Sequence, residues 1–182
     1  MSLPLVVVGG PPGSGKTTAA RTTAERLGFE FLSAGARFRA LAQEHEMDLG
    51  EFSRYAANHP EVDRELDDYM LSFAKPGWLL DSRLAGPLAR RKGIPLLYLV
   101  VTAGDAVRAE RLSGRDGIPV AAARRAMVAR EQSEKSRYKA LYGIDLDRET
   151  PDLQIDSSDL SPSGVVDRLV DFIRRHATLA PS

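Results

Sequence analysis

Cysteine is absent from the 182 residues of this sequence. Its absence excludes disulfides, thiolate metal ligands and catalysis by a thiol. The three histidines, His45, His59 and His176, lie in charged helical stretches and lack the spacing of metal ligands. We therefore expect them at the surface, and the chemistry of the protein must come from other residue types.

An excess of charge and a long apolar run are also absent. Basic and acidic residues number 25 each, so no global positive field favours a nucleic-acid partner. The longest apolar run, "IPLLYLVVTA", is too short to span a bilayer, and the start "MSLPLVVVGG" lacks the cationic segment of a signal peptide. These features predict a cytoplasmic protein that binds neither nucleic acid nor membrane.

The chain has no internal repeat, low-complexity segment or linker, which predicts one domain over residues 1–182. Apolar runs alternate with helical patterns, and the third to fifth runs are expected to be apolar on both faces, as buried parallel strands are. The predicted strands are Leu3–Gly9, "FEFLSAG", "GWLLD", "PLLYLVVT" and "DLQID". This alternation predicts an α/β fold, a doubly wound sheet of five parallel strands with helices on both faces.

Helix boundaries follow from capping residues. Gly28 suits the end of the first helix, Pro60 the first turn of a helix, and Ser161 a helix N-cap. The predicted helices are Gly15–Leu27, Ala36–Glu44, two short helices within Leu49–Phe73, and a last helix from Ser161 to about His176.

A glycine-rich loop follows the first strand. The stretch "GGPPGSGKT" contains the pattern G-x-x-x-x-G-K-T, with Gly10, Gly15, Lys16 and Thr17 at its fixed positions. In such a loop the backbone N–H groups surround phosphate oxygens, the lysine reaches the β and γ phosphates, and the hydroxyl can ligate Mg²⁺. Its place between a strand and a helix predicts a binding site for a nucleoside triphosphate.

Three further segments carry arginine, and the first two follow predicted strands. In "LSAGARFRA", Ser33, Gly35 and Arg39 could line a pocket that faces the loop, since a guanidinium pairs bidentately with phosphate. In "WLLDSRLAG", Asp81 at a strand tip could hold Mg²⁺ through water, and Arg83 follows it. The alternatives are a solvated arginine for Arg39 and a helix cap for Asp81.

The third arginine segment is "REQSEKSRY". Arg130, Glu134 and Arg137 are spaced i, i+4 and i+7, which places them on one face of a helix. Taken alone, this alternation of charge is also typical of a solvated, salt-bridged helix face.

Together, the segments "GGPPGSGKTTAA", "LSAGARFRALA", "WLLDSRLAG", "REQSEKSRYKALYGIDL" and "DLQIDSSDLSP", in this order and spacing, resemble the cytidylate kinase family, in particular its compact archaeal-type branch. The resemblance covers nearly the whole chain and includes "HPEVDRELDDY". It implies a monomeric P-loop kinase that uses ATP and Mg²⁺ to phosphorylate CMP or dCMP. It also implies small helical segments for acceptor binding, about residues 33–73, and for a lid, about residues 111–125.

The resemblance assigns roles to individual residues. ATP would be held by Gly10, Pro11, Pro12, Gly13, Ser14, Gly15, Lys16, Thr17, Thr18, Arg111 and Arg115. The acceptor would be held by Ser33, Gly35, Arg39, Arg83, Arg130, Glu134 and Arg137. The expected catalytic residues are Lys16, Arg39, Arg115, Arg130 and Arg137, and Mg²⁺ would be held by Thr17 and Asp81. Where the family has glycine between the acid and the arginine, this chain has Ser82.

Transfer to a nucleotide phosphate needs no general base, because the attacking oxygen is already anionic at neutral pH. Two alternatives are a sister kinase acting on AMP, dephospho-coenzyme A or a small alcohol such as shikimate, and a nucleotide-dependent switch without a substrate. An alcohol acceptor would need a base, for which Asp81 is the obvious candidate. A switch would leave the arginine clusters unexplained, and the chain has no Asn-Lys-x-Asp motif.

Overall fold

The computed structural model describes residues 3–177. The strands are β1 Val6–Gly9, β2 Glu30–Ser33, β3 Trp78–Asp81, β4 Leu97–Thr102 and β5 Leu153–Asp156. They form one sheet in the order β2-β3-β1-β4-β5, and every neighbouring pair is parallel. The predicted five-stranded parallel sheet is confirmed.

Helices connect the strands throughout the described residues. They are α1 Lys16–Leu27, α2 Ala34–Glu44, α3 Leu49–Asn58, α4 Pro60–Ser72, α5 Ala85–Arg91, α6 Asp105–Asp116, α7 Val120–Tyr142 and α8 Pro162–His176, with a 3₁₀ turn at Leu146–Arg148. No helix within residues 3–177 is both long and apolar enough to cross a membrane.

The predicted capping residues are confirmed. Gly28 ends α1 with a φ of 76°, a left-handed conformation that suits glycine. Ser161 caps α8, since its Oγ accepts the N–H of Gly164 at 3.1 Å. The predicted division of the third helical region also holds, because α3 ends at Asn58 and α4 begins at Pro60.

Two apolar layers cover the sheet. Val8, Leu99 and Ile155 pack on one face against the helices α1 and α8. Val7 and Leu80 pack on the other face with side chains of α4 and α5. The expectation that β5 is apolar on both faces is wrong, because β5 is an edge strand with an exposed Gln154.

Helices α2, α3 and α4 have a small core of their own. Phe52 is fully buried there among Leu41, Ala56 and Val62, and its ring lies 4.9 Å from that of Phe38. These helices occupy most of residues 33–73, the predicted acceptor segment. They follow β2 in the chain and therefore begin at the carboxyl edge of the sheet, where ligands of open α/β sheets bind.

Candidate active site

The glycine-rich loop lies between the end of β1 and the start of α1, as predicted. Gly10 has a φ of 140°, and a Cβ built there would lie 2.0 Å from the carbonyl oxygen of Val101. A Cβ on Gly13 would lie 2.8 Å from the carbonyl oxygen of Arg108. Only glycine therefore allows the loop to pass this close to β4 and α6.

Asp81 connects this loop to the neighbouring strands. Its carboxylate is buried at the tip of β3, and Val8 of β1 is its partner across the sheet. Oδ2 accepts hydrogen bonds from Thr17 Oγ1 at 2.7 Å and from Ser33 Oγ at 2.8 Å. Lys16 Nζ lies 3.2 Å from Oδ1. The predicted metal residues Thr17 and Asp81 are thus in contact, whereas Ser33 meets Asp81 and also caps α2.

The same group has the chemistry of a site for a small divalent cation. Asp81 Oδ1 forms no hydrogen bond to the described residues, although the ammonium of Lys16 lies close to it. A carboxylate and a hydroxyl are hard oxygen ligands of the kind that Mg²⁺ prefers, and Mg²⁺ sites commonly combine one or two carboxylates with substrate phosphates. The residues present therefore fit Mg²⁺.

Two residues that the sequence reasoning missed support the loop from behind. Arg108 is buried, and its guanidinium donates to the Pro12 carbonyl at 3.2 Å and to Glu131 at 2.9 Å. Ser157, at the end of β5, donates to the Ser14 carbonyl at 2.8 Å. The i, i+3 spacing of Arg108 and Arg111 places both on one face of α6, but it does not reveal that Arg108 contacts Pro12. The serine offered no comparable pattern.

The two predicted lid arginines have different surroundings. Arg111 donates to the backbone carbonyls of Ser14 at 3.4 Å and Ser157 at 2.8 Å, so it lies beside the loop. The side chain of Arg115 is 62% exposed and pairs with the adjacent Asp116 at 2.7 Å. Of the two, only Arg111 lies against the loop.

A second cluster of charges joins α7 to the residues after β3. The buried Glu134 accepts from Arg83 at 2.5 Å and from Arg130 at 2.7 Å. Burial alone would raise the pKa of Glu134, but the two guanidiniums outweigh it and hold that pKa below its ordinary value. Arg83 also lines a cavity of about 310 Å³ together with the loop residues Gly10 and Pro11.

Arg137 lies on the same face of α7 and contacts α4. Its Nε lies 2.7 Å from Oδ2 of Asp63, a buried carboxylate whose pKa is raised by burial against the opposing effect of the guanidinium. Arg39, in contrast, is exposed and forms no ion pair with the described residues. Of the predicted acceptor residues, Arg83 and Arg130 share Glu134, Arg137 pairs with Asp63 instead, and Arg39 stands apart from both groups.

A neighbouring pair joins the same two helices. Tyr142 Oη donates to Oδ2 of the buried Asp67 at 2.9 Å. Burial raises the pKa of Asp67 to about 7, and the nearby Asp63 adds to the effect. Sequence reasoning had singled out neither Asp63 nor Asp67, because their partners lie far away in the chain.

Ser82, which stands where the family has glycine, bonds to nearby backbone groups. Its side chain is buried, and Oγ accepts the N–H of Leu84 at 3.3 Å and that of Ala85 at 3.1 Å. The hydroxyl therefore satisfies backbone donors at the start of α5.

The parallel sheet, the glycine-rich loop with Lys16, Thr17 and Asp81, and the cavity that Arg83 lines beside this loop define a class of protein. They are the parts of a P-loop kinase, in which backbone amides, a lysine and Mg²⁺ hold the transferred phosphate.

Comparison with known proteins agrees with this class. A family model described as an AAA domain matches residues 6–137. The chain is 43% identical over 164 residues to a cytidylate kinase of Methanocaldococcus jannaschii, a match that covers 88% of this chain and 92% of that protein. It is 38% identical over 172 residues to a cytidylate kinase of Halobacterium salinarum, covering 93% of this chain and 88% of that protein. The chain therefore belongs to the cytidylate kinase family.

Solved structures share the fold. A shikimate kinase from Bacteroides thetaiotaomicron superposes with a TM-score of 0.62 over 93% of this chain and 97% of its own. The two sequences are 14% identical, so this likeness concerns the fold alone.

Proposed function

We propose that the protein transfers the γ-phosphate of ATP to CMP or dCMP, with Mg²⁺ as cofactor, and releases ADP with CDP or dCDP. The observation that carries this proposal is a set of paired arginines near the glycine-rich loop. Arg83 lines a cavity together with the loop residues Gly10 and Pro11 and shares Glu134 with Arg130, while Arg137 on the same helix pairs with Asp63. The attacking group is a phosphate oxygen that is already anionic. The protein must therefore align two phosphates and offset their repulsion, which is the task that guanidinium groups suit.

On the donor side, we assign the triphosphate to the loop from Gly10 to Thr18. Lys16 would hold the β and γ phosphates, and Arg111 lies where it can meet the nucleotide beside Ser14. Thr17 and Asp81 would hold Mg²⁺, which when bound neutralises charge on the β and γ oxygens.

On the acceptor side, we assign the phosphate of CMP to Arg39, Arg130 and Arg137, and the base to the neighbourhood of Arg83. Arg39 is exposed and is free to turn toward a ligand from α2. Ser33 and Gly35 complete this side at the start of the same helix.

We also propose that residues 111–125 form a lid. In this range α6 ends at Asp116 and α7 begins at Val120, and the connection between them is exposed. Closure there would bring Arg115 from the surface onto the bound nucleotide and would exclude water as a competing acceptor.

The contacts of Asp81 make an alcohol acceptor less favoured. A kinase that acts on an alcohol needs a general base near the γ-phosphate. Asp81 Oδ2 already accepts hydrogen bonds from Thr17 and Ser33, and Lys16 Nζ lies 3.2 Å from Oδ1, so both oxygens are engaged by these groups rather than by an alcohol acceptor. A nucleotide-dependent switch without a substrate would not account for Arg83, Arg130 and Arg137.

The test is ADP release with a panel of acceptors that contains CMP, dCMP, UMP, AMP, GMP, shikimate and dephospho-coenzyme A. We expect rapid turnover with CMP or dCMP, weaker turnover with UMP, and the least with purine nucleotides and the non-nucleotide acceptors. Phosphorylation of AMP as fast as that of CMP would reject the assignment and favour the sister kinase.

Discrimination between CMP and UMP tests the role of Arg83. Cytosine offers O2 and N3 as acceptors, whereas N3 of uracil is a donor and would leave the guanidinium without a partner. Such a loss costs about 1 to 3 kcal/mol, or roughly 5- to 150-fold. Arg83→Met should lower CMP turnover and narrow the gap to UMP while ATP binding changes little. Arg64→Met, at an exposed position of α4, is the matched control, and an equal effect of the two variants would refute the role.

We further propose a monomer, built as one domain over residues 1–182. Sedimentation at several protein concentrations should then give a single species near the chain mass of 19.9 kDa. A larger species at all concentrations would refute this.

A further inference from the structure

The ion pair of Asp63 and Arg137 joins the acceptor segment to the long helix α7. Arg137 Nε lies 2.7 Å from Asp63 Oδ2, and the two side chains are only 15% and 5% exposed. Asp63 belongs to α4 and Arg137 to α7, so the contact joins these two helices. Each group would be a costly isolated charge in this buried position without the other.

Asp63 is the acid on which Arg137 depends. The nearby Glu134 already takes the guanidiniums of Arg83 and Arg130. Within residues 3–177, the only other polar contact of Arg137 is a hydrogen bond from an amino group to Ser133 Oγ at 2.9 Å. The terminal amino groups of Arg137 are therefore the donors that can still reach a ligand, whereas its Nε faces Asp63.

The pair is close but poorly aligned. Although 2.7 Å separates the two atoms, neither Arg137 Nε nor Asp63 Oδ2 makes a hydrogen bond of good geometry with the described residues. Contacts of this kind in a ligand-free active site often tighten when the substrate binds. A small rotation of the guanidinium would align its N–H with the carboxylate.

We propose that Asp63 is a positioning residue for the phosphoryl acceptor: it holds the Nε side of Arg137 so that the terminal amino groups face the acceptor's phosphate. This inference rests on the proposed function. It assigns to α4 a part in phosphate recognition, although α4 itself supplies none of the arginines Arg83, Arg130 and Arg137.

The first test compares Asp63→Asn with Asp68→Asn. Both changes remove one carboxylate from α4, but Asp68 is exposed and contacts no arginine among the described residues. For Asp63→Asn we expect the KM for CMP to rise at least about tenfold, the loss expected for one charge-assisted hydrogen bond, while the KM for ATP changes less than about twofold. For Asp68→Asn we expect neither constant to change. Equal behaviour of the two variants, or a parallel rise of both KM values, would overturn the proposal.

A second measurement uses the unaltered protein, so it decides the matter even if Asp63→Asn does not fold. Hydrogen exchange of the Arg137 Nε–H is followed by NMR, with the signal assigned from its loss in Arg137→Lys. We expect exchange to slow when CMP binds, because the N–H then aligns with Asp63. Faster exchange on binding would show that the acceptor breaks the ion pair, and it would overturn the proposal.

The two proposals fail differently. A wild-type protein that does not phosphorylate CMP would reject the proposed function and this inference with it. An active wild type in which Asp63→Asn behaves like Asp68→Asn would reject the inference alone.

Discussion

Replacing Asp67 with Asn should stabilise the protein, and the gain should grow as the pH rises. Asp67 is 8% exposed, and burial is the main cause of its raised pKa of about 7, against an ordinary value of 3.8. The charges of Asp63 and Asp68 add to the effect, and that of Arg137 opposes it. Tyr142 donates to the carboxyl at 2.9 Å, and burial raises its own pKa too, so it still donates at alkaline pH. An asparagine oxygen can accept the same hydrogen bond without the charge.

The sign of the effect follows from proton binding. A carboxyl whose pKa is raised by folding contributes stability that is complete below pH 3.8 and is lost as the pH rises to about 7. At 1.36 kcal/mol per pH unit, the interval from 3.8 to about 7 corresponds to about 4 kcal/mol, a penalty that the wild type carries above pH 7. At pH 5 only about 1.2 pH units of that interval have been crossed, and the penalty is about 2 kcal/mol.

Urea unfolding at pH 5 and pH 8 measures this difference. Asp67→Asn should exceed the wild type in free energy of unfolding by about 2 kcal/mol at pH 5 and about 4 kcal/mol at pH 8. Asp68→Asn, which changes the exposed neighbour, should show no such growth. An advantage that is independent of pH, or a variant less stable than the wild type at pH 8, would show that Asp67 is ionised in the native protein at little cost.

Three further predictions concern the site. Lys16→Ala should abolish phosphoryl transfer and leave the far-UV circular dichroism unchanged, since Thr17 and Ser33 still donate to Asp81; near wild-type turnover would contradict the role of Lys16. Ser82→Gly should cost about 1 kcal/mol in urea unfolding, because the N–H groups of Leu84 and Ala85 lose the buried hydroxyl, and it should leave the KM for CMP unchanged. A changed KM would mean that Ser82 meets the acceptor. Proteolytic cleavage between Ser113 and Val120 should slow when ATP and CMP are bound together, and equal rates with and without the ligands would argue against a lid.

Features encoded by neighbouring residues could be predicted from the sequence. The glycine pattern around Lys16 and Thr17 requires one backbone path, and the caps at Gly28 and Ser161 act within a few residues of themselves. The strands could be predicted for the same reason, because a strand that is buried on both faces is a continuous apolar run in the sequence. For β5 the expectation of two apolar faces was wrong, since an edge strand needs only one buried face and tolerates Gln154 on the other.

Contacts between distant segments could not be predicted, because no local sequence pattern indicates them. The acceptor role of Ser33 stays a prediction, but the contact of its hydroxyl with Asp81 was not predicted, because that contact depends on how β2 lies beside β3. The support of the loop by Arg108 likewise requires α6 to pass behind Pro12. These pairings are decided by tertiary packing, which periodicity and spacing do not report.

The i, i+4, i+7 pattern of Arg130, Glu134 and Arg137 allowed two interpretations, and burial distinguishes them. On a solvated face, water screens the charges and the side chains keep many conformations. Here Glu134 is buried between Arg130 and Arg83, and Asp63 meets Arg137. Glu131 also lies 3.9 Å from Arg83, so acidic partners offset much of the positive charge of the three guanidiniums before any ligand binds. The acids reduce repulsion among the arginines and restrict their directions. In the proposed complex, a dianionic phosphate would therefore meet guanidiniums that need little further reorganisation.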